Sequence, residues 1–234
     1  MRDERFGPLR ARVAGGRDRE GGGDGPALVL LHGYGAPGDD LVPLWRVVDA
    51  GPDTRFVFPE APVALPYGGG SRAWWPLDLD AFLDPRRDRA RELPEGLAAA
   101  RAQVSEFLDE VARRLAPSSL VLGGFSQGAM LACDVALHDP RPLAGLVLLS
   151  ATLIADDDWT PRMPSRRGLP VLQSHGARDE LLPIDGAERL RDRLRAAGLA
   201  VEWLPFPGGH EIPDRVLARL GAFVREATSV VEPA

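Results

Sequence analysis

Ser126 stands in Gly124-Phe125-Ser126-Gln127-Gly128, directly after the apolar run Leu120-Val121-Leu122 and before the helix-compatible stretch Ala129-Met130-Leu131-Ala132-Cys133. A Gly-x-Ser-x-Gly pentapeptide between a strand pattern and a helix pattern is the mark of a nucleophile elbow. The central residue of so tight a turn holds a strained backbone, and its neighbours must be small so that strand and helix can close around it. The hydroxyl is thereby lifted out of the core. It also lies at a helix N-terminus, where free N–H groups and the helix dipole favour a developing negative charge. The implied chemistry is attack of a serine on a carbonyl.

A serine hydroxyl is a weak nucleophile at neutral pH and needs a base, itself oriented by an acid. The chain offers His32, His138, His175 and His210. His138 falls in the last turn of the elbow helix, before Asp139-Pro140, and reads as a capping or surface residue. His32 and His175 each end a strand pattern ahead of a glycine. His210 follows Pro207-Gly208-Gly209, between the last strand and the last helix, which is the place this architecture leaves for the base. For the acid, the Asp156-Asp157-Asp158 run and Asp179 both lie between Ser126 and His210 in the sequence. Asp179 is preferred for its position a short turn beyond the strand pattern ending at Ser174. Two N–H donors must face the oxyanion. Gln127, next to the nucleophile, supplies one from its backbone, and Tyr34 in Leu31-His32-Gly33-Tyr34-Gly35 supplies the other, with glycines letting that turn fold inward. The stretch His210-Glu211-Ile212-Pro213-Asp214 lacks the second histidine of a zinc-protease site. The scheme requires no metal and no organic cofactor.

These residues need a scaffold that brings several loops to one edge. Near-continuous apolar strand patterns at Ala27 to Leu31, Arg55 to Phe58, Leu120 to Leu122, Leu143 to Leu149, Val171 to Ser174 and Ala200 to Leu204 alternate with helical patterns. The clearest helix places Leu97, Val104, Phe107, Leu108, Val111 and Leu115 on one face, opposite Arg101, Glu106, Asp109, Glu110 and Arg113. Further helices are expected from Gln127 to about His138, from about Ile184 to Ala197 and from about Pro213 to Glu226. The fold class is α/β, with a mostly parallel sheet covered by helices on both faces. Leu9 to Val13 is expected as an antiparallel edge strand. The segment from about Ala61 to Pro94 breaks the rhythm: it is rich in Pro, Gly and Arg and carries Tyr67, Trp74, Trp75, Leu77, Leu79, Phe82 and Leu83 without a clean period. It is expected as an irregular flap over the site, with Trp74 and Trp75 as substrate-binding residues.

The length of 234 residues favours one domain spanning 1–234, since no linker separates two self-sufficient apolar patterns. The basic residues are all arginine, scattered among acidic ones at a net charge of −6, which argues against a nucleic-acid partner. Cys133 is the only cysteine, and Met1-Arg2-Asp3-Glu4-Arg5 leads into no apolar signal core, so a cytoplasmic location is expected. No apolar run approaches the ~20 residues needed for a membrane span. The expected partner is a small ester or thioester, met by a monomer or homodimer without stable membrane insertion.

Taken in order, Leu31-His32-Gly33-Tyr34-Gly35, Phe58-Pro59-Glu60-Ala61-Pro62, Arg72-Ala73-Trp74-Trp75, Gly124-Phe125-Ser126-Gln127-Gly128-Ala129, Ser174-His175-Gly176-Ala177-Arg178-Asp179 and Gly208-Gly209-His210-Glu211-Ile212 resemble the phospholipase/carboxylesterase family of α/β hydrolases. That family holds bacterial carboxylesterases, lysophospholipases and acyl-protein thioesterases. The resemblance runs from about Ala27 to Phe223. It implies an α/β-hydrolase fold with no large separate cap domain, a triad of Ser126, Asp179 and His210, and an oxyanion hole from the backbones of Tyr34 and Gln127. The activity it implies is ester hydrolysis through an acyl-enzyme, with lysophospholipase or acyl thioesterase as the alternative; the apolar flap, and not the resemblance, favours an aliphatic acyl chain of short to medium length. A non-catalytic binding protein on the same scaffold is the rival from another class, and the intact set of nucleophile, base and acid argues against it. Many family members carry Leu where this chain has Tyr34, and the familiar Trp-Phe-Asp is here Trp74-Trp75-Pro76-Leu77-Asp78. Both departures bear on the shape of the acyl pocket and leave a backbone donor unaffected.

Overall fold

Alternate residues of the central strands serve two separate cores, and that is why the strands read as unbroken apolar runs. Val29, Leu31, Val57, Leu122, Leu146, Leu148 and Val171 pack into one cluster. Leu28, Leu30, Phe56, Phe58, Val121, Val147, Leu149 and Leu172 pack into the other. A strand buried on both faces has no polar side to display. The computed structural model describes residues 1–78 and 88–229. Leu79, Phe82 and Leu83 of the expected flap lie outside them.

The strands in chain order are β1 (Arg2–Phe6), β2 (Leu9–Gly16), β3 (Glu20–Gly22), β4 (Ala27–Leu31), β5 (Arg55–Pro59), β6 (Val63–Ala64), β7 (Arg72–Ala73), β8 (Leu120–Phe125), β9 (Gly145–Leu149), β10 (Pro170–Gly176) and β11 (Ala200–Phe206). The main sheet runs β1-β2-β5-β4-β8-β9-β10-β11, with β3 beside β2. Pairing is parallel from β5 through β11, and antiparallel where β2 meets β1 and β5. The mostly parallel α/β sheet is thus present. The strand at Leu9 is longer than expected, and it is not the edge. β1 lies outside it, a strand of charged residues that only Phe6 anchors in the core, so hydrophobic patterning does not mark it.

Helices α1 (Leu97–Leu115), α2 (Gln127–His138), α3 (Asp156–Trp159), α4 (Ile184–Ala196) and α5 (Asp214–Thr228) complete the described elements, with short 3-10 turns at Val42–Arg46, Arg89–Arg91 and Met163–Arg166. The apolar faces of α1, α2 and α4 cover one side of the sheet. Val216, Leu220, Phe223 and Val224 of α5 cover the other. The Asp156-Asp157-Asp158 run, an alternative candidate for the acid, opens the short helix α3, with Trp159 behind it fully buried.

Register sets where the loops emerge. Leu31 lies opposite Gly124, Phe125 opposite Leu149, Ser174 opposite Leu149 and Gly176 opposite Phe206. The carboxyl ends of β4, β8, β10 and β11 therefore lie along one edge of the sheet, and the residues just beyond them are Tyr34, Ser126, Asp179 and His210. In open α/β sheets this is the edge at which ligands bind.

Candidate active site

Ser126 joins β8 to α2 with φ 54° and ψ −120°, a conformation that costs a non-glycine residue about 1–3 kcal/mol. The surroundings hold it there. Its N–H donates to the Leu149 carbonyl at 2.9 Å, and its own carbonyl accepts from Ala129 and Met130 at 3.0 and 3.1 Å. The two flanking glycines are required by close approach. A Cβ on Gly124 would lie 2.6 Å from the Leu31 oxygen, and one on Gly128 would collide with the carbonyl oxygens of Leu31 and His32. Helix α2 thus sits directly on β4, and its first N–H groups, Gln127 among them, have no partner within the helix.

On the far side of the edge, His210 Nδ1 and Asp179 Oδ2 are 2.7 Å apart. An ionised carboxylate only accepts, so Nδ1 carries the proton and Nε2 is left with a free lone pair. Asp179 Oδ1 accepts the N–H groups of Leu181 and Leu182 at 3.0 and 2.9 Å. Burial pushes the Asp179 carboxyl up, but the interactions it accepts, led by the hydrogen bonds from His210 and Leu182, outweigh it and hold the group below its ordinary value. The His210 loop is gripped from the Asp179 loop: Arg178 N–H donates to Gly208 at 2.9 Å and its guanidinium to Pro207 at 2.6 Å. A Cβ on Gly176 would strike the Gly208 and Gly209 carbonyls. The His210 ring packs against Phe125, the residue before Ser126, with centroids 4.7 Å apart. The His210 loop and the Ser126 turn thus meet at this edge.

Behind this pair lies His175, fully buried, with Nε2 2.7 Å from the Leu182 carbonyl and 3.4 Å from Asp179 Oδ2. The carbonyl can only accept, so Nε2 donates. Burial pushes His175 below the ordinary histidine value and keeps it neutral.

The turn after β4 folds over the elbow. A Cβ on Gly33 would lie 3.4 Å from the Ser126 Cβ and 3.3 Å from the Phe125 ring. Gly35 N–H donates to Arg72 and Ala36 N–H to Gly33, while the Tyr34 N–H carries no hydrogen bond among the described residues. The Tyr34 phenol meets that of Tyr67 at 3.3 Å, and its pKa is pushed up to about 12, by burial first and then by this contact. Trp74 and Trp75, expected as substrate-binding, are only 2% and 1% exposed and belong to the core. The physical reason is Gln127. Its buried carboxamide accepts from Trp74 N–H and donates to the Trp75 carbonyl, each at 2.9 Å, and draws that strand into the interior. Both indoles are buried among the described residues.

Residues 20–228 match the model of the family described as Phospholipase/Carboxylesterase. The chain belongs to that family. It is 25% identical over 215 residues to acyl-protein thioesterase 1 of Gibberella zeae, covering 85% of this chain and 89% of the relative. It is 32% identical over 216 residues to a probable carboxylesterase of Oryza sativa subsp. japonica, covering 89% and 90%. Among solved structures, esterase PE8 superposes with a TM-score of 0.79 at 29% identity, covering 94% of this chain and 99% of that one. A carboxylesterase from Mesorhizobium loti shares the fold at 22% identity, with a TM-score of 0.71 over 97% and 98% of the two chains. As a phospholipase/carboxylesterase family member with the α/β-hydrolase fold, the chain is an ester hydrolase.

Other groups in this family member are engaged elsewhere. Asp156 pairs with Arg193 at 2.9 Å and Asp158 with His138 and Arg162, each at 3.0 Å, so the aspartate run does not approach His210 through these residues. Asp134, His138 and Asp158 are the one cluster among the described residues with metal-compatible spacing. Asp134 already accepts from the Trp159 indole at 2.8 Å and from Arg101 at 3.0 Å, and His138 Nδ1 faces the Asp134 carbonyl at 2.8 Å. That is a protein-satisfied polar network linking α1, α2 and α3. Cys133 is buried and its thiol is pushed well above the ordinary range, so it offers no thiolate. Among the described residues no helix is long and apolar enough to cross a membrane.

Proposed function

We propose that this chain hydrolyses carboxylic esters by a Ser126–His210–Asp179 triad through an acyl-enzyme. The observation that carries the reading is the 2.7 Å bond from His210 Nδ1 to Asp179 Oδ2, because it leaves Nε2 free on a ring that packs against Phe125, the residue before the strained Ser126. Ser126 Oγ bonds to the substrate carbonyl carbon while His210 Nε2 takes its proton, and the oxyanion is met by the N–H groups of Gln127 and Tyr34. The tetrahedral species collapses, the bond to the leaving oxygen or sulfur breaks, and His210 returns the proton to it. Water, deprotonated by the same nitrogen, then releases the acid and restores Ser126. The Ser126 hydroxyl makes no hydrogen bond among the described residues; its bond to His210 forms in the substrate complex, where such contacts tighten.

The substrates proposed are esters of short to medium acyl chains. Support for an apolar acyl group comes from half-buried Leu77, two residues beyond Trp75, and from Leu181, 50% exposed and two residues beyond Asp179. The likeness to an acyl-protein thioesterase keeps a thioester as the second reading, which differs only in the leaving atom. A panel of p-nitrophenyl esters of increasing chain length, acyl thioesters and lysophospholipids separates them. Highest kcat/KM on short to medium oxygen esters supports the first reading, and a clear preference for the thioester or lysophospholipid replaces it.

A further inference from the structure

The two oxyanion donors come from strand ends that are neighbours in the sheet but lie far apart in sequence, so something must fix their mutual geometry. Starting at the first donor, the Gln127 carboxamide accepts the Trp74 N–H at 2.9 Å and donates to the Trp75 carbonyl at 2.9 Å. The Trp74 indole Nε1 then donates to the His32 carbonyl at 2.9 Å. The His32 ring lies tilted against that indole, with centroids 5.4 Å apart. Its Nε2 accepts the Ala61 N–H at 3.0 Å, which places the ring proton on Nδ1, and Nδ1 lies 2.9 Å from the Gly33 carbonyl. That carbonyl belongs to the same peptide plane as the Tyr34 N–H. In a trans peptide the two point in opposite directions, so pinning Gly33 O against His32 aims the Tyr34 N–H away from it.

We propose that Gln127, Trp74 and His32 are positioning residues whose side chains form one hydrogen-bonded relay joining the two oxyanion donors, so that the Tyr34 N–H is held in register with the Gln127 N–H. The proposal rests on the acyl-enzyme reading above. All three side chains are buried, at 1%, 2% and 2% exposure, so the bonds are not traded for water. Burial pushes the His32 pKa down and so favours the neutral ring, and the Ala61 N–H at Nε2 fixes the tautomer that the relay needs. A hole of this kind works because its donors need no reorganisation as charge develops. The relay supplies that rigidity to a turn that contains two glycines.

The test uses the full-length enzyme with Trp74→Phe, which removes the indole N–H and keeps an aromatic ring, and with His32→Asn and His32→Gln. The Asn amide can stand in for Nδ1 and bond Gly33 O; the Gln amide reaches toward the Nε2 position and serves Ala61 instead. Each variant is assayed for kcat and KM separately, for inhibition by a trifluoromethyl ketone that forms a tetrahedral oxyanion on Ser126, and for thermal midpoint. The relay predicts that Trp74→Phe loses about tenfold or more in kcat at little change in KM, a fraction of what deleting a whole donor costs. It predicts an equal loss of inhibitor affinity, and more activity in His32→Asn than in His32→Gln. A folded Trp74→Phe with unchanged kcat and inhibitor affinity, or a His32→Gln at least as active as His32→Asn, overturns it. Should Trp74→Phe not fold, the His32 pair decides. Failure of wild type to bind the ketone covalently at Ser126 would instead overturn the acyl-enzyme reading.

Discussion

On one side of Ser126, backbone meets backbone in the middle of the sheet: α2 presses on β4, and Gly128 faces the carbonyls of Leu31 and His32. On the other side, Gly176 faces the carbonyls of Gly208 and Gly209 in the loop that carries His210. The contacts look alike, but the neighbours differ. Leu31 lies in a strand whose five residues are all buried, paired on both sides. His210 is only part-buried, on a loop tied down by Arg178 and by one bond to Asp179. In the proposed mechanism the first side is the oxyanion half, built to be immobile, and the second is the acid–base half, built to be oriented. That division matches the chemistry, since donors for a developing charge must not reorganise, while the base must hand a proton from nucleophile to leaving group.

The largest expected effect falls on the acid–base half. Asp179→Asn keeps the shape but no longer enforces the proton on Nδ1, and kcat is expected to fall by about 10⁴-fold with the fold intact, as judged by steady-state kinetics beside circular dichroism. A much smaller loss would mean that His175, which also faces Asp179, shares the orienting role. The two glycines sharpen the contrast. Gly128→Ala forces a methyl group into a central strand and is expected to cost about 3 kcal/mol or more of stability, read from urea unfolding. Gly176→Ala pushes on a loop that can yield, so kcat is expected to fall more than stability as His210 is displaced. Equal destabilisation by both would erase the proposed difference between the halves. The smallest effect is expected at Tyr34→Phe. The donor there is backbone, and only the 3.3 Å contact with Tyr67 is lost, so kcat should stay near wild type. A collapse of turnover would show that the phenol takes part in the chemistry.

What was legible in the sequence divides along the same line. The elbow, the loop glycines and the strand ends could be read because each answers to a local rule: a tight turn needs small neighbours, and a doubly covered strand is apolar throughout. That His210 and Asp179 would come together at one edge followed from their places after β11 and β10. The direction of a side chain does not follow from such rules. Trp74 and Trp75, in a segment without period, looked like a flap above the substrate and are instead drawn into the core by the carboxamide of Gln127. In the same way His32 and His175 read only as strand-ending residues. Their roles depend on buried partners, Ala61 and Gly33 for one, Leu182 and Asp179 for the other, that no spacing reveals. The charged strand β1 escaped for a related reason: its pairing with β2 places it, and its own composition does not.

The most direct test of the central claim is mass spectrometry of the enzyme quenched during turnover of a p-nitrophenyl ester. The account predicts a mass increase of one acyl group, mapped to the peptide containing Ser126, and its absence in Ser126→Ala together with loss of activity. A folded, active wild type that carries no acyl group on Ser126 under saturating substrate, or an acylated and active Ser126→Ala, would contradict it.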